Sequence, residues 1–155
     1  ETATKYPKAT ILENKLLNDS FCILTHGTIR HYTIDSNTSE EQTLRFTLSG
    51  NLLCHYGTAT EATECLSCLS ECTILSISNV ILEEIGEEIN LKTYSLNIIK
   101  ENLELEVALL RMTPEKRYTK LCKQYQNLFL TVPLKYIASF LGITPKLYAE
   151  LESVY

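Results

Sequence analysis

The chain of 155 residues has no apolar run long enough to cross a bilayer. It also lacks the secretory pattern of a basic start, an apolar run and a small-residue cleavage site. These absences predict a cytoplasmic protein without a membrane partner. A strongly basic balance is missing too: nineteen acidic residues oppose fourteen basic ones, for a net charge of −5. That excludes a nucleic-acid coat protein or a basic membrane binder, although one local DNA-reading face is compatible with an acidic whole. There is no Gly-rich phosphate loop, no H-E-x-x-H and no G-x-S-x-G. A non-enzyme is therefore expected, with no catalytic residue. The acids Glu83, Glu84, Glu87, Glu88, Glu101, Glu104 and Glu106 read as the solvated faces of helices.

Six cysteines are present, at 22, 54, 65, 68, 72 and 122. Cys65, Cys68 and Cys72 form a C-x2-C-x3-C pattern, but no Cys or His cluster follows at zinc-finger spacing. No metal is expected, and the thiols read as reduced, with Glu64–Ile77 as strand. Strand geometry would then send Cys65 and Cys68 to opposite faces. A redox sensor using these three cysteines is an alternative reading.

At 45% hydrophobic and 21% charged, the composition is that of a globular chain able to bury a core. Residues 1 to about 77 read as β structure. Phe21–Thr25 and Thr28–Ile34 predict a hairpin around Gly27. In Gln42–Leu48 the alternation puts Leu44, Phe46 and Leu48 on one face. From Asn79 the period becomes helical. Leu91–Met112 predicts a long helix with two apolar stripes. One runs through Leu91, Tyr94, Ile98, Leu105 and Met112, the other through Leu96, Ile99, Leu103 and Leu110. Together they are wider than a coiled-coil seam needs, so one stripe can pack on the β domain while the other meets a second chain, and the first stripe is taken as the dimer seam. Thr113 and Pro114 predict a capped helix through Tyr125, followed by a loop over Asn127–Val132.

Val132–Pro145, followed by Lys146–Glu152, reads as a helix-turn-helix. Ala138 suits a close helix crossing, and Gly142 suits the turn. Ile143, Tyr148 and Leu151 supply packing. Thr144 can cap the second helix, with Pro145 at its first position. Lys135, Thr144, Lys146 and Tyr148 are the candidate DNA-facing residues. Glu150 and Glu152 oppose phosphate contact.

Phe21–Tyr32, Gln42–Gly50, Thr113–Tyr118 and Val132–Pro145 together resemble Crp/Fnr-type transcriptional regulators, the compact type common in Bacteroidetes. The resemblance implies an α+β fold: a cyclic-nucleotide-binding-like β-roll, a long dimerisation helix and a small helix-turn-helix. The implied division is 1–112 for the roll with its helix and 113–155 for the DNA-binding region. It also implies initial helices before Glu1. The ligand cassette of cAMP-binding relatives begins with Gly-Glu and closes with Arg-Ser. Its equivalents here are Leu53, Cys54, His55, Ala62 and Thr63, and neither pair is matched. No Arg or Lys occurs between Asn51 and Ile77, so the phosphate contact is missing, and Glu61 and Glu64 would repel an anion. cAMP is not expected as a cofactor. The recognition-helix arginines of relatives are likewise replaced, at Ala149, Glu150 and Glu152. The reading is a regulator binding DNA as a homodimer, with an effector other than cAMP. The alternative is a regulator-derived sensor or protein-interaction module that has lost DNA binding.

Overall fold

The computed structural model describes residues 2–54, 64–85 and 91–154. Within them the chain divides into two compact units, 1–98 and 99–155. The division falls inside the long helix, between Ile98 and Ile99.

Among the described residues the first unit holds eight strands: β1 (Thr2–Tyr6), β2 (Ile11–Leu12), β3 (Ser20–His26), β4 (Thr28–Ile34), β5 (Glu41–Leu48), β6 (Asn51–Leu53), β7 (Cys65–Cys68) and β8 (Cys72–Ser78). A short helix, α1 (Asn14–Asp19), precedes β3, and α2 (Asn79–Ile85) follows β8. The strands form two antiparallel four-stranded sheets, ordered β1-β8-β3-β6 and β2-β7-β4-β5. Leu12, Ile29, Leu66 and Cys68 from one sheet meet Cys22, Leu24, Leu53, Cys72 and Ile74 from the other in one core. β3, β7 and β8 contribute alternate residues, as a period of two requires.

Three sequence expectations change here. First, β3 and β4 are not a hairpin: β3 pairs with β6 and β8, whereas β4 pairs with β5 and β7. Gly27 carries the chain from one sheet to the other at φ +99°. A Cβ there would lie 2.4 Å from the Glu71 carbonyl and 2.7 Å from Cys72 Sγ, so only glycine fits. Secondly, 64–77 is not one strand: the chain breaks at 69–71, and β7 and β8 belong to different sheets. Thirdly, the most buried residues of β5 are Thr43 and Thr47, not Leu44, Phe46 and Leu48, which are half-buried. The register of β5 against β4 also shifts between His31 and Tyr32.

The helical elements are α3 (Leu91–Leu110), α4 (Pro114–Gln124), α5 (Gln126–Thr131), α6 (Leu134–Leu141) and α7 (Pro145–Val154). The segment read as a loop after Tyr125 is therefore helical, as α5. Thr113 stands at the N-cap of α4 but makes no cap bond with its side chain, which is engaged with Glu115. In the second unit Tyr118, Leu121, Leu128, Ile137, Ala138, Leu141, Tyr148 and Leu151 are buried. The Tyr118 ring meets Phe129 and Tyr148 edge-on, with centroids 5.7 and 5.5 Å away. No described helix is long and apolar enough to cross a membrane.

Candidate functional site

In the first unit the unusual feature is a polar cluster inside the sheets. β4 is buried on both faces from Thr28 to Tyr32. His31 shares a face with Ile29, and it is wholly buried. Its Nδ1 lies 2.8 Å from Glu64 Oε1 and its Nε2 2.8 Å from Thr47 Oγ1. With Nδ1–H donating to the carboxylate, Nε2 accepts the threonine hydroxyl. Glu64, only 2% exposed, also accepts from Arg45 Nη2, forming a salt bridge. Arg45 donates as well to the Cys54 carbonyl, at 3.3 Å. One guanidinium thus ties the chain just before residue 55 to the chain just after residue 63.

Arg30 occupies the other face of β4. It donates from Nε to Thr43 Oγ1 at 2.9 Å and from Nη1 to Glu41 at 2.5 Å, and it stacks over the Tyr32 ring at 4.3 Å. Burying an unpaired charge is costly, so each of these ions carries a partner. The cation that residues 51–77 lack is therefore supplied by β5. The Glu64 carboxylate, expected to repel an anion, is taken up by Arg45 and His31.

Of the ligand-equivalent residues, Leu53 is buried and Cys54 half-buried, its thiol pushed up by burial. His55, Ala62 and Thr63 lie outside the described residues. Arg30, His31, Arg45, Thr47 and Glu64 were missed by sequence reasoning. Thr43, Arg45 and Thr47 alternate as regularly as the apolar residues between them, and that was the available signal.

Among the cysteines, Cys22, Cys68 and Cys72 are buried in the core. Burial pushes the Cys22 thiol up to about 11. Cys68 donates to Cys72, which raises Cys68 and lowers Cys72, while burial raises both. Cys65 lies on the face of β7 opposite Leu66 and Cys68 and is half-buried. No group of three or more metal-ligating side chains is present among the described residues.

In the second unit α6 ends at Gly142, left-handed at φ +64°. The Gly142 N–H bonds to the Ser139 carbonyl and the Ile143 N–H to the Ala138 carbonyl, a Schellman closure. Arg117 Nη1 from α4 donates to the Leu141 carbonyl and so covers the same helix end. Two residues later Thr144 Oγ1 accepts the Leu147 N–H at 3.2 Å and caps α7. Thr144, Lys146, Glu150 and Glu152 are exposed, as is Lys135 near the start of α6. The Lys135 ammonium rests 4.8 Å from the Tyr136 ring centre. Tyr148 is 1% exposed and packed on Tyr118, which removes it from the DNA-facing set. Its hydroxyl is pushed up by burial and by nearby Glu152.

The long helix α3 leaves Leu96, Leu103 and Leu110 exposed, by 56%, 58% and 82% respectively. Of the stripe chosen from sequence, Tyr94 is exposed, while Ile98, Leu105 and Met112 are half-buried. The Leu91 side chain lies outside the described residues.

Solved structures similar to the chain share this architecture. FixK2 from Bradyrhizobium japonicum aligns with a TM-score of 0.78 at 15% identity, over 99% of this chain and 83% of that one. A cyclic nucleotide-binding domain containing protein from Listeria monocytogenes gives 0.73 at 15% identity, over 99% and 80%. A transcriptional regulator of the Crp/Fnr family from Eubacterium rectale gives 0.67 at 13% identity, over 99% and 77%. The fold is Crp/Fnr-like. No family model and no curated protein sequence matches the chain.

Proposed function

We propose that the chain is a cytoplasmic transcription regulator that binds DNA as a two-fold dimer, responds to an effector other than cAMP and catalyses no reaction. The observation that carries this reading is the α6–α7 pair within a Crp/Fnr-like fold. A Schellman turn, an Arg117 clamp and a Thr144 cap hold the two helices in the manner of a helix-turn-helix. Thr144 and Lys146 then stand at the exposed start of α7, the end that meets base edges in this motif. Lys135 adds a phosphate contact from α6.

The dimer reading rests on α3. Leu96, Leu103 and Leu110 recur every seven residues on an exposed stripe, as d positions of a coiled coil, with Val107 at an a position. In a parallel pair Glu106 at g faces the partner's Arg111 at e. This seam differs from the Leu91, Tyr94, Ile98, Leu105 and Met112 stripe chosen from sequence. A two-fold pair of this kind reads half-sites about 34 Å apart.

Arg45 is committed to Glu64 and the Cys54 carbonyl, which argues against its serving as a free fork for a cyclic phosphate. The ligand position around Leu53 and Cys54 then suits an effector other than cAMP.

Fluorescence anisotropy of the full chain with mixed-sequence duplex, at low and moderate salt and with and without cAMP, tests this reading. Salt-sensitive binding indifferent to cAMP is expected. Sedimentation is expected to give a dimer that Leu103→Glu converts to monomer. Absence of duplex binding at low salt would reject the proposal and return the protein-interaction module as the reading.

A further inference from the structure

The exposed face of α7 offers phosphates one lysine against two glutamates, too little positive charge to hold a duplex. The second unit carries its charge elsewhere. Lys116, Lys120 and Lys123 follow one another on α4 at spacings of four and three residues. At 100° per residue they fall within about 60° of arc, roughly opposite the buried Tyr118 and Leu121. Lys116 and Lys123 are exposed and Lys120 is half-buried. None of the three makes an ion pair among the described residues.

They line an open groove of about 560 Å³ with Met112, Thr119 and Gln124, and Glu115 is its one acid. A smaller recess beside it, bordered by Lys120, holds Glu101 and Glu104 of α3. Those acids would turn an anionic chain away from α3 and along the lysine row. The row rises about 10 Å along the helix, long enough to meet about two to three phosphates of one duplex strand.

We propose that this face of α4 is a phosphate track for duplex DNA, separate from the face presented by α7. The proposal rests on the DNA-binding reading above and adds where most of the affinity comes from. Because Tyr118, on the far side of α4, packs on Tyr148 of α7, the track engages backbone beyond the segment read by α7. Contacts to backbone carry no sequence information, so the track adds affinity without altering operator choice.

The test uses the full chain and three proteins: wild type, Lys116→Gln/Lys120→Gln/Lys123→Gln, and the matching triple arginine variant. Far-ultraviolet circular dichroism establishes that each is folded. Duplex affinity is read by anisotropy across a salt series. The glutamine variant is expected to bind about ten-fold or more weakly, with the slope of log K against log salt reduced by about two to three. The arginine variant is expected to match wild type.

A wild-type protein that binds duplex while the glutamine variant keeps the same slope overturns this proposal and leaves the DNA reading standing. A wild-type protein that binds no duplex rejects the DNA reading and this proposal with it. Poly-glutamate that binds wild type but not the glutamine variant, while leaving duplex bound to wild type, would mark the row as a site for an acidic protein and overturn the proposal.

Discussion

The two compact units handle charge in opposite ways. Residues 1–98 hold thirteen acidic and six basic side chains, while residues 99–155 hold six acidic and eight basic ones. In the first unit the ions Arg30, Arg45 and Glu64 are drawn inside and paired, and His31 joins them. In the second, Lys116, Lys120, Lys123, Lys135 and Lys146 form no ion pair among the described residues. The buried charge of the roll holds strands together and ties the chain before residue 55 to the chain after residue 63. Apart from Arg117, which clamps the Leu141 carbonyl, and the exposed Lys100–Glu104 pair, the basic side chains of the helical unit are left without an acidic partner among the described residues and can meet one. An overall charge of −5 hides this division.

The sharpest way to break the comparison is to leave a roll charge without its partner. Arg45→Met removes the cation from Glu64, which is almost wholly buried and keeps its bond to neutral His31. A loss of about 3–5 kcal/mol of unfolding free energy is expected, because an uncompensated charge then stays buried. Glu41→Gln is the control. The Glu41 side chain is 44% exposed, and Arg30 retains Thr43 and the Tyr32 ring. Its cost should be within about 1 kcal/mol, as for an ion pair open to water. Urea unfolding of both variants decides the matter, and equal costs would show that the interior cluster has no special standing.

In the helical unit the corresponding weak point is backbone geometry. Gly142→Ala places a Cβ at φ +64° and within 3.2 Å of Arg117 Nη1. The left-handed conformation costs a residue with a Cβ about 1–2 kcal/mol, and the Arg117 clamp must also shift. Duplex affinity should fall with stability, whereas the thermal transition of the roll should stay where it is. A variant that binds duplex as wild type does would show that the turn does not position α7 for contact.

The helical half was the more legible from sequence, because its signals are local. Gly142, Thr144 and Pro145 each state their own role, and each of these roles is filled in the structure, while Ala138 is buried as a small core residue. Helical periodicity likewise announced α3 and α4. The roll depends on pairing between distant segments, and local pattern misled there. Phe21–Thr25 and Thr28–Ile34 flank a glycine as hairpin strands do, yet Gly27 is a corner between sheets. Gln42–Leu48 alternates on both faces, and a period of two does not say which face turns inward. Leu44 and Phe46 look like the inward choice until Glu64, far away in sequence, supplies a partner for Arg45 and His31 one for Thr47. Residues 55–63, which hold three of the ligand-equivalent positions, lie outside the described residues. For α3, periodicity showed two stripes and gave no means of ranking them. Exposure separates them, with Leu96, Leu103 and Leu110 outermost.

The smallest expected effect bears on whether the acids of α7 are a brake on DNA binding. Glu150 and Glu152 are exposed and make no ion pair among the described residues, so neither holds the helix to its neighbours. Near a duplex each carboxylate meets a phosphate field of its own sign, and at separations under a Debye length that repulsion survives physiological salt. Glu150→Gln/Glu152→Gln should therefore tighten binding to mixed-sequence duplex a few-fold at low salt, with less gain as salt rises. The charges are exposed, so thermal stability should hardly change. If the double variant binds no better than wild type while Lys146→Gln weakens binding, the acids face away from the duplex and only the first turn of α7 approaches it. If neither change matters but the lysines of α4 do, the duplex lies on α4 alone, and the terminal helices serve to hold that surface in place.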